Sequence, residues 1–149
     1  MILVDTNILA RTLQIGHVHQ LPALDAMDLL RTQRNEVLVV SPQNLIELYA
    51  IGTRSANGLG FAPDRALEEI ENIKRDSPLL PETPDLFPTW EQLVAKYKPV
   101  NRRVFDMRHA AFMVIHAIPS ILTFNDSDFS SITEIQTLNP FTLLGVPRV

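Results

Sequence analysis

The chain opens with Met1-Ile2-Leu3-Val4-Asp5-Thr6-Asn7, an apolar run that ends directly in a carboxylate and two short polar side chains. A bounded run of this kind predicts a short buried strand. Similar runs predict further strands at 37–40, 79–80, 121–124 and, more weakly, 135–138. Helical spacing separates them at 23–34, 42–54, 63–75, 86–97 and 102–117. Strands that alternate with helices of this length predict an α/β fold with a parallel sheet covered on both faces.

The length of 149 residues predicts a single domain over 1–149. The proline-rich stretch 77–99 also carries Leu79, Leu86 and Trp90, too much apolar surface for a free linker. We therefore interpret it as a rigid passage inside the domain. The aromatic residues Trp90, Tyr97 and Phe105 are predicted to lie in the core.

Composition excludes several classes of function. The chain has no cysteine, which rules out disulfides, thiolate nucleophiles and thiolate metal sites. Its net charge of −4 argues against a protein that coats nucleic acid through bulk positive charge. No apolar stretch reaches the roughly 18 residues that span a bilayer, and the first residues do not resemble a secretory signal. A cytoplasmic location is the expectation.

Four acids stand among apolar neighbours, where a solvated carboxylate is not expected: Asp5, Glu47, Asp106 and Asp128. A buried carboxylate without a partner costs several kcal/mol, so such groups are normally paired or bound to metal. Ligands bind beyond the carboxyl ends of parallel strands. Asp5 and Asp128 follow predicted strands, and the two predicted helices could bring Glu47 and Asp106 to the same edge. A shared Mg²⁺ or Mn²⁺ ion would explain all four.

Each acid also has a plainer interpretation. Asp5 could be an ordinary helix N-cap, Glu47 a paired core acid, and Asp106 a hydrogen-bond partner of His109 or Arg108. A basic cluster around Asp106, which includes Arg103 and Arg108, is either a solvated helix start or a rim that contacts RNA phosphates.

The motifs together resemble the PIN-domain family, and specifically VapC-type toxins of type II toxin–antitoxin pairs. The resemblance covers essentially the whole chain and rests on residues 2–7, 44–48, 87–90, 105–108 and 122–129. It implies a PIN-like three-layer α/β/α sandwich with a short, mostly parallel central sheet. It further implies an Mg²⁺- or Mn²⁺-dependent endoribonuclease that acts on an RNA substrate, forms a homodimer and is silenced by a cognate antitoxin.

Carried onto this chain, the resemblance assigns Asp5 and Asp106 as the principal metal-binding acids and Glu47 as the third. Aligned without gaps, Asn125 and Asp128 fall on the family's Asn and its fourth acid, while Asp126 stays a competitor. Thr6, Asn7 and Asn125 are expected to support the site. The chain departs from many relatives at Phe105, where they carry His, and at His109, where they carry a small or apolar residue.

Two other functions stay open from the residues. The first is a catalytically silent PIN-like module that binds RNA or a protein; intact acids at every motif argue against it. The second is a phosphatase of the haloacid-dehalogenase type. That chemistry needs a second acid two residues after Asp5, where this chain has Asn7. The residues do not identify the RNA or the antitoxin.

Overall fold

The computed structural model describes all 149 residues, and its elements alternate between strands and helices. They are β1 (Ile2–Val4), α1 (Thr6–Leu13), α2 (Gln20–Asp28), β2 (Leu38–Val39), α3 (Pro42–Thr53), α4 (Pro63–Asp76), α5 (Leu86–Tyr97), α6 (Arg103–Ile115), β3 (Ser120–Leu122), α7 (Asp126–Phe129), β4 (Gln136–Leu138) and α8 (Pro140–Leu144). A π-helical turn, Leu29–Gln33, continues α2. No helix combines the length and the apolar character needed to cross a bilayer.

The four strands form one parallel sheet in the order β2-β1-β3-β4, which confirms the predicted α/β class. Along the chain, β2 is added on one side of β1 and β3 on its other side, so the strand order reverses between β1 and β3. Sheets of this type place their ligand sites at such a reversal, beyond the carboxyl ends of the strands. Asp5 follows β1 at this point, and Thr123 follows β3.

The alternation of side chains along β1 divides the core into two layers. Ile2 and Val4 face the layer that contains α1, α2 and α3, with α8 packed on its rim. Leu3 faces the opposite layer, formed mainly by α5 and α6. Helices therefore cover both faces of the sheet, as the sequence predicts.

The predicted strand at 79–80 is wrong as a full strand. It is reduced to a single parallel bridge between Val40 and Leu79. Pro78 and Pro81 flank the pair and have no backbone N–H to donate, so the ladder cannot extend there.

Phe105 is also not a core residue: it lies in the first turn of α6 with 58% of its surface exposed. Trp90 and Tyr97 pack against the core from α5 but are only partly buried.

Candidate active site

Asp5 is buried where β1 ends, but it does not act as a helix cap. It occupies the N-cap position of α1 without a capping hydrogen bond from its side chain. Its Oδ2 instead accepts hydrogen bonds from Thr123 Oγ1 at 2.6 Å and from Asn7 Nδ2 at 2.8 Å. Burial raises the pKa of Asp5, and the nearby His109 and the Thr123 bond offset this only in part. The fold thus holds a buried carboxylate in a fixed orientation at the strand reversal.

Asn7 links the residues that follow β1 and β3 by hydrogen bonds. Its Nδ2 also contacts Thr123 Oγ1 at 3.0 Å, and its Oδ1 accepts from the backbone N–H of Phe124 at 3.2 Å. The backbone N–H of Asn125 donates to the same Thr123 hydroxyl, so Asn125 supports the site through its backbone. The sequence did not single out Thr123, because only the fold brings it to Asp5.

Glu47 is positioned by the well-capped helix α3. Ser41 and Asn44 form a reciprocal capping box, and Pro42 occupies the first helical position. Gln43, one turn before Glu47, donates to its Oε1 at 2.7 Å. Thr6 Oγ1 donates to its Oε2 at 2.8 Å and so connects α1 to α3.

His109 from α6 lies on the other side of Glu47, with 3.5 Å between its Nε2 and Glu47 Oε2. Burial alone would raise the pKa of Glu47, but His109, Gln43 and Thr6 outweigh it and lower this pKa to about 2. The alternative interpretation of Asp106 as a hydrogen-bond partner of His109 is therefore wrong, because the imidazole lies against Glu47. Its Nδ1 is buried without a partner.

Asp106 lies in the first turn of α6 and forms no hydrogen bond or ion pair. Burial, then the neighbouring carboxylates of Asp128 and Asp5, raise its pKa to about 6, although His109 and Arg103 act in the opposite direction. The carboxylate of Asp128, on the short helix α7, likewise has no partner. Asp106, Asp128 and Asp5 therefore repel each other across one edge of the sheet.

Asp126 is close by but its carboxylate is occupied. Arg148 Nη2 lies 2.9 Å from its Oδ2, and Asn139 donates to its Oδ1 at 3.2 Å. The Arg148 bond lowers the pKa of Asp126. This arrangement separates it from the unpartnered acids.

The two predicted RNA-contacting arginines both lie on α6. Arg103 is exposed and donates to the backbone carbonyl of Ser127. Arg108 donates to Gln43 Oε1 at 2.7 Å and forms an ion pair with Glu82, not with Asp106. Through Gln43, Arg108 is joined to Glu47.

No three acidic or histidine side chains are arranged closely enough to hold a metal ion as they stand. The donor set nevertheless suits one. Carboxylate oxygens are the ligands that Mg²⁺ and Mn²⁺ prefer. Mutual repulsion favours a cation, and rotating Asp106 or Asp128 would break no hydrogen bond. Asp5, Asp106, Glu47 and Asp128 are thus the residues that would hold the ion.

Comparison with known protein families identifies the family to which this chain belongs. The PIN-domain family model matches residues 2–135. Among curated protein sequences none matches significantly. Solved structures do match, at low identity, and they show a shared fold.

Three of these structures span nearly the same length as this chain. VapBC2 from Rickettsia felis, bound to a promoter DNA fragment, is 14% identical with a TM-score of 0.69, covering 93% of this chain and 98% of its own. VapC20 from Mycobacterium tuberculosis, a sarcin–ricin loop cleaving toxin, is 19% identical with a TM-score of 0.65, covering 89% and 95%. A toxin–antitoxin complex from Klebsiella pneumoniae is 18% identical with a TM-score of 0.63, covering 94% and 98%.

Proposed function

Since this chain belongs to the PIN-domain family, we propose that it is an Mg²⁺- or Mn²⁺-dependent endoribonuclease and the toxin of a toxin–antitoxin pair. One observation carries the proposal. The fold brings Asp5, Asp106 and Asp128 to one edge of the sheet, where burial, and then the carboxylates of Asp128 and Asp5, raise the pKa of Asp106 to about 6. An uncompensated acidic cluster destabilises a protein, and a divalent cation removes that cost.

Two of the four acids are held in place by hydrogen bonds, and the other two make none. Asp5 and Glu47 are oriented by Thr123, Asn7, Thr6 and Gln43, and so provide preorganised oxygen ligands. Asp106 and Asp128 have no partners and can turn towards an ion. When bound, the ion would lower the pKa of a water molecule and neutralise charge on the phosphodiester. Arg103 and Arg108 supply positive charge for the RNA backbone.

RNA as the substrate is supported by the structural likeness to VapC20, described as a sarcin–ricin loop cleaving toxin. An antitoxin partner is supported by the likeness to the Klebsiella pneumoniae toxin–antitoxin complex. We propose that the antitoxin covers the acidic edge and blocks access to it. The homodimer and the cytoplasmic location belong to the same proposal; the first rests on the family resemblance and the second on the composition of the chain.

The alternative function, a catalytically silent module that binds RNA or a protein, has one observation in its favour. The acids do not stand ready as a metal site in their present side-chain positions. Metal uptake and RNA cleavage separate the two functions directly.

The deciding experiment measures cleavage of labelled structured and single-stranded RNAs with Mn²⁺, Mg²⁺ or a chelator. Asp106→Asn is the informative variant, because Asp106 makes no hydrogen bond that the change would break. Asp25→Asn on the exposed face of α2 is its matched control. Metal-dependent cleavage that is lost in Asp106→Asn and kept in Asp25→Asn supports the nuclease. No cleavage and no metal uptake by calorimetry would favour the silent module.

A further inference from the structure

A cavity of about 490 Å³ opens next to the acidic edge, between the loop before α5 and the first turns of α5 and α6. This volume lies within the range of small-ligand sites. Its walls combine apolar side chains with a few polar groups, notably Thr83, Leu86, Phe87, Trp90, Phe105 and Arg108. The metal-site acids do not line it, so it is a separate feature.

Aromatic rings form much of its wall. Phe87 and Trp90 stack on each other with ring centroids 5.5 Å apart and planes 25° apart. Trp90 Nε1 donates to the backbone carbonyl of Val104 at 2.9 Å, which fixes the indole against α6. Phe87 and Phe105 are 62% and 58% exposed. Exposed aromatic faces of this kind are platforms on which unstacked RNA bases bind.

The polar groups of the cavity suit the edge of a base better than an apolar side chain. Arg108 and Glu82 add a donor and an acceptor at the rim.

The cavity is also connected to the acidic edge. Gln43 Nε2 donates to Glu47 Oε1 at 2.7 Å and approaches the carbonyl of Phe105 at 3.4 Å. Its Oε1 accepts from Arg108, a residue of the cavity wall. Phe105 directly precedes Asp106 along α6. Gln43 therefore joins the wall of the cavity to Glu47 at the acidic edge.

We infer that this cavity binds one unstacked base of a single-stranded RNA segment beside the phosphodiester that is cleaved. The inference rests on the proposed function for its substrate class. It assigns base stacking to Phe87, Trp90 and Phe105, and polar contacts at the rim of the cavity to Glu82 and Arg108. None of these residues belongs to the metal site.

The test uses the fluorescence of Trp90, which is the single tryptophan of the chain. Short oligoribonucleotides of adenine, cytosine or uracil are titrated into the protein with a chelator present, so that no cleavage occurs. An abasic ribose–phosphate strand of equal length is the ligand control. We expect the base-containing strands to change the fluorescence saturably and the abasic strand to have no such effect.

Phe87→Ala is expected to weaken binding of the best strand about tenfold. Phe105→Ala provides a second, independent variant on another helix. Leu21→Ala, at an apolar residue of similar exposure outside the cavity, is the matched control and should bind normally. Circular dichroism establishes that each variant is folded.

Three outcomes would overturn the inference: an equal response to the abasic strand, no loss of affinity in Phe87→Ala and Phe105→Ala, or dissociation of a dimer by Phe87→Ala with unchanged RNA affinity. The last result would make this surface a contact between two copies of the chain. Base-dependent binding without metal-dependent cleavage would leave the base site standing and reject the nuclease. Cleavage with no base-dependent binding would do the reverse.

Discussion

Thr6 Oγ1 lies 2.8 Å from Glu47 Oε2, so the first residue of α1 directly orients an acid on α3. The same hydroxyl accepts a hydrogen bond from Asn44 Nδ2 at 3.3 Å. Asn44 also completes the capping box with Ser41. The start of α3, the position of Glu47 and the residue that follows Asp5 are therefore joined in one hydrogen-bond network.

Asp106→Asn should stabilise the protein at pH above about 6 and have no such effect near pH 4. The folded state raises the pKa of Asp106 from 3.8 to about 6. The protonated Asp106 carboxyl group thus contributes to the stability of the folded state below its unfolded pKa. This contribution is lost as the pH rises through about 6. After allowance for solvent screening, the gain in unfolding free energy is about 1 kcal/mol at neutral pH. Denaturant titrations without divalent cations measure it.

Asp25→Asn, on the exposed face of α2, serves as the control for that experiment and should leave the stability unchanged at both pH values. A loss of stability in Asp106→Asn at neutral pH would mean that Asp106 is a structural acid with a partner.

Mn²⁺ affinity should fall as the pH drops below about 6, because protons then compete for the Asp106 carboxylate. For one released proton the slope is about tenfold per pH unit. Isothermal calorimetry between about pH 5 and pH 7 measures the slope. Equal affinities across this range would show that Asp106 stays ionised or does not bind the ion.

Asp128→Asn should weaken Mn²⁺ binding by more than the roughly tenfold typical of an outer-sphere partner. Asp126→Asn should bind Mn²⁺ nearly normally, because Asp126 is already occupied by Arg148 and Asn139. Loss of that exposed ion pair costs less than about 1 kcal/mol. The reverse order of affinities would identify Asp126 as the fourth acid.

Asn7→Asp should destabilise the fold by about 2 kcal/mol near neutral pH. The change keeps the shape of the side chain but replaces a donor to Asp5 with a second carboxylate. Protonation relieves the repulsion, so the loss should shrink towards about pH 4. Urea unfolding at the two pH values tests this, and an equally large loss at both would point to broken packing in place of charge repulsion.

Thr83→Val should leave the melting temperature unchanged or raise it, since Thr83 Oγ1 has no partner to lose. Its binding of short RNAs should stay close to normal, because the hydroxyl oxygen is enclosed and does not reach the surface of the cavity. Differential scanning fluorimetry and the Trp90 titration give the two results on one sample. Lower stability with normal RNA binding would assign the hydroxyl a structural role.

Much of the fold could be predicted from local pattern. Apolar runs predict all four strands of the sheet, and helical spacing from residue 42 predicts α3. Helix α1 lies outside the predicted helical ranges, although Asp5 does occupy an N-cap position. The pair of leucines at 79–80 resembles a strand in composition, but the flanking prolines restrict it to one bridge.

The acids of the site can be predicted from the sequence, but their hydrogen-bond partners cannot. Asp5, Glu47, Asp106 and Asp128 stand out because a charge among apolar neighbours needs an explanation. Thr123 and Gln43 carry no such signal, since their role arises only when separate elements pack together. His109 was noticed through its helical spacing from Asp106, yet tertiary packing turned its ring to Glu47. Helical spacing identifies neighbours on one helix and says little about contacts between helices.

The single bridge at Leu79 has a further consequence for how copies of this chain can associate. Sheet edges with free N–H groups invite another chain to add a strand. Beyond β2, the outer edge of the sheet is formed by the short segment around Leu79, which Pro78 and Pro81 flank. Because the prolines have no backbone N–H, the segment offers a single N–H donor to the carbonyl groups of an added strand. This edge therefore offers little to a strand from a second copy, which limits uncontrolled aggregation through it.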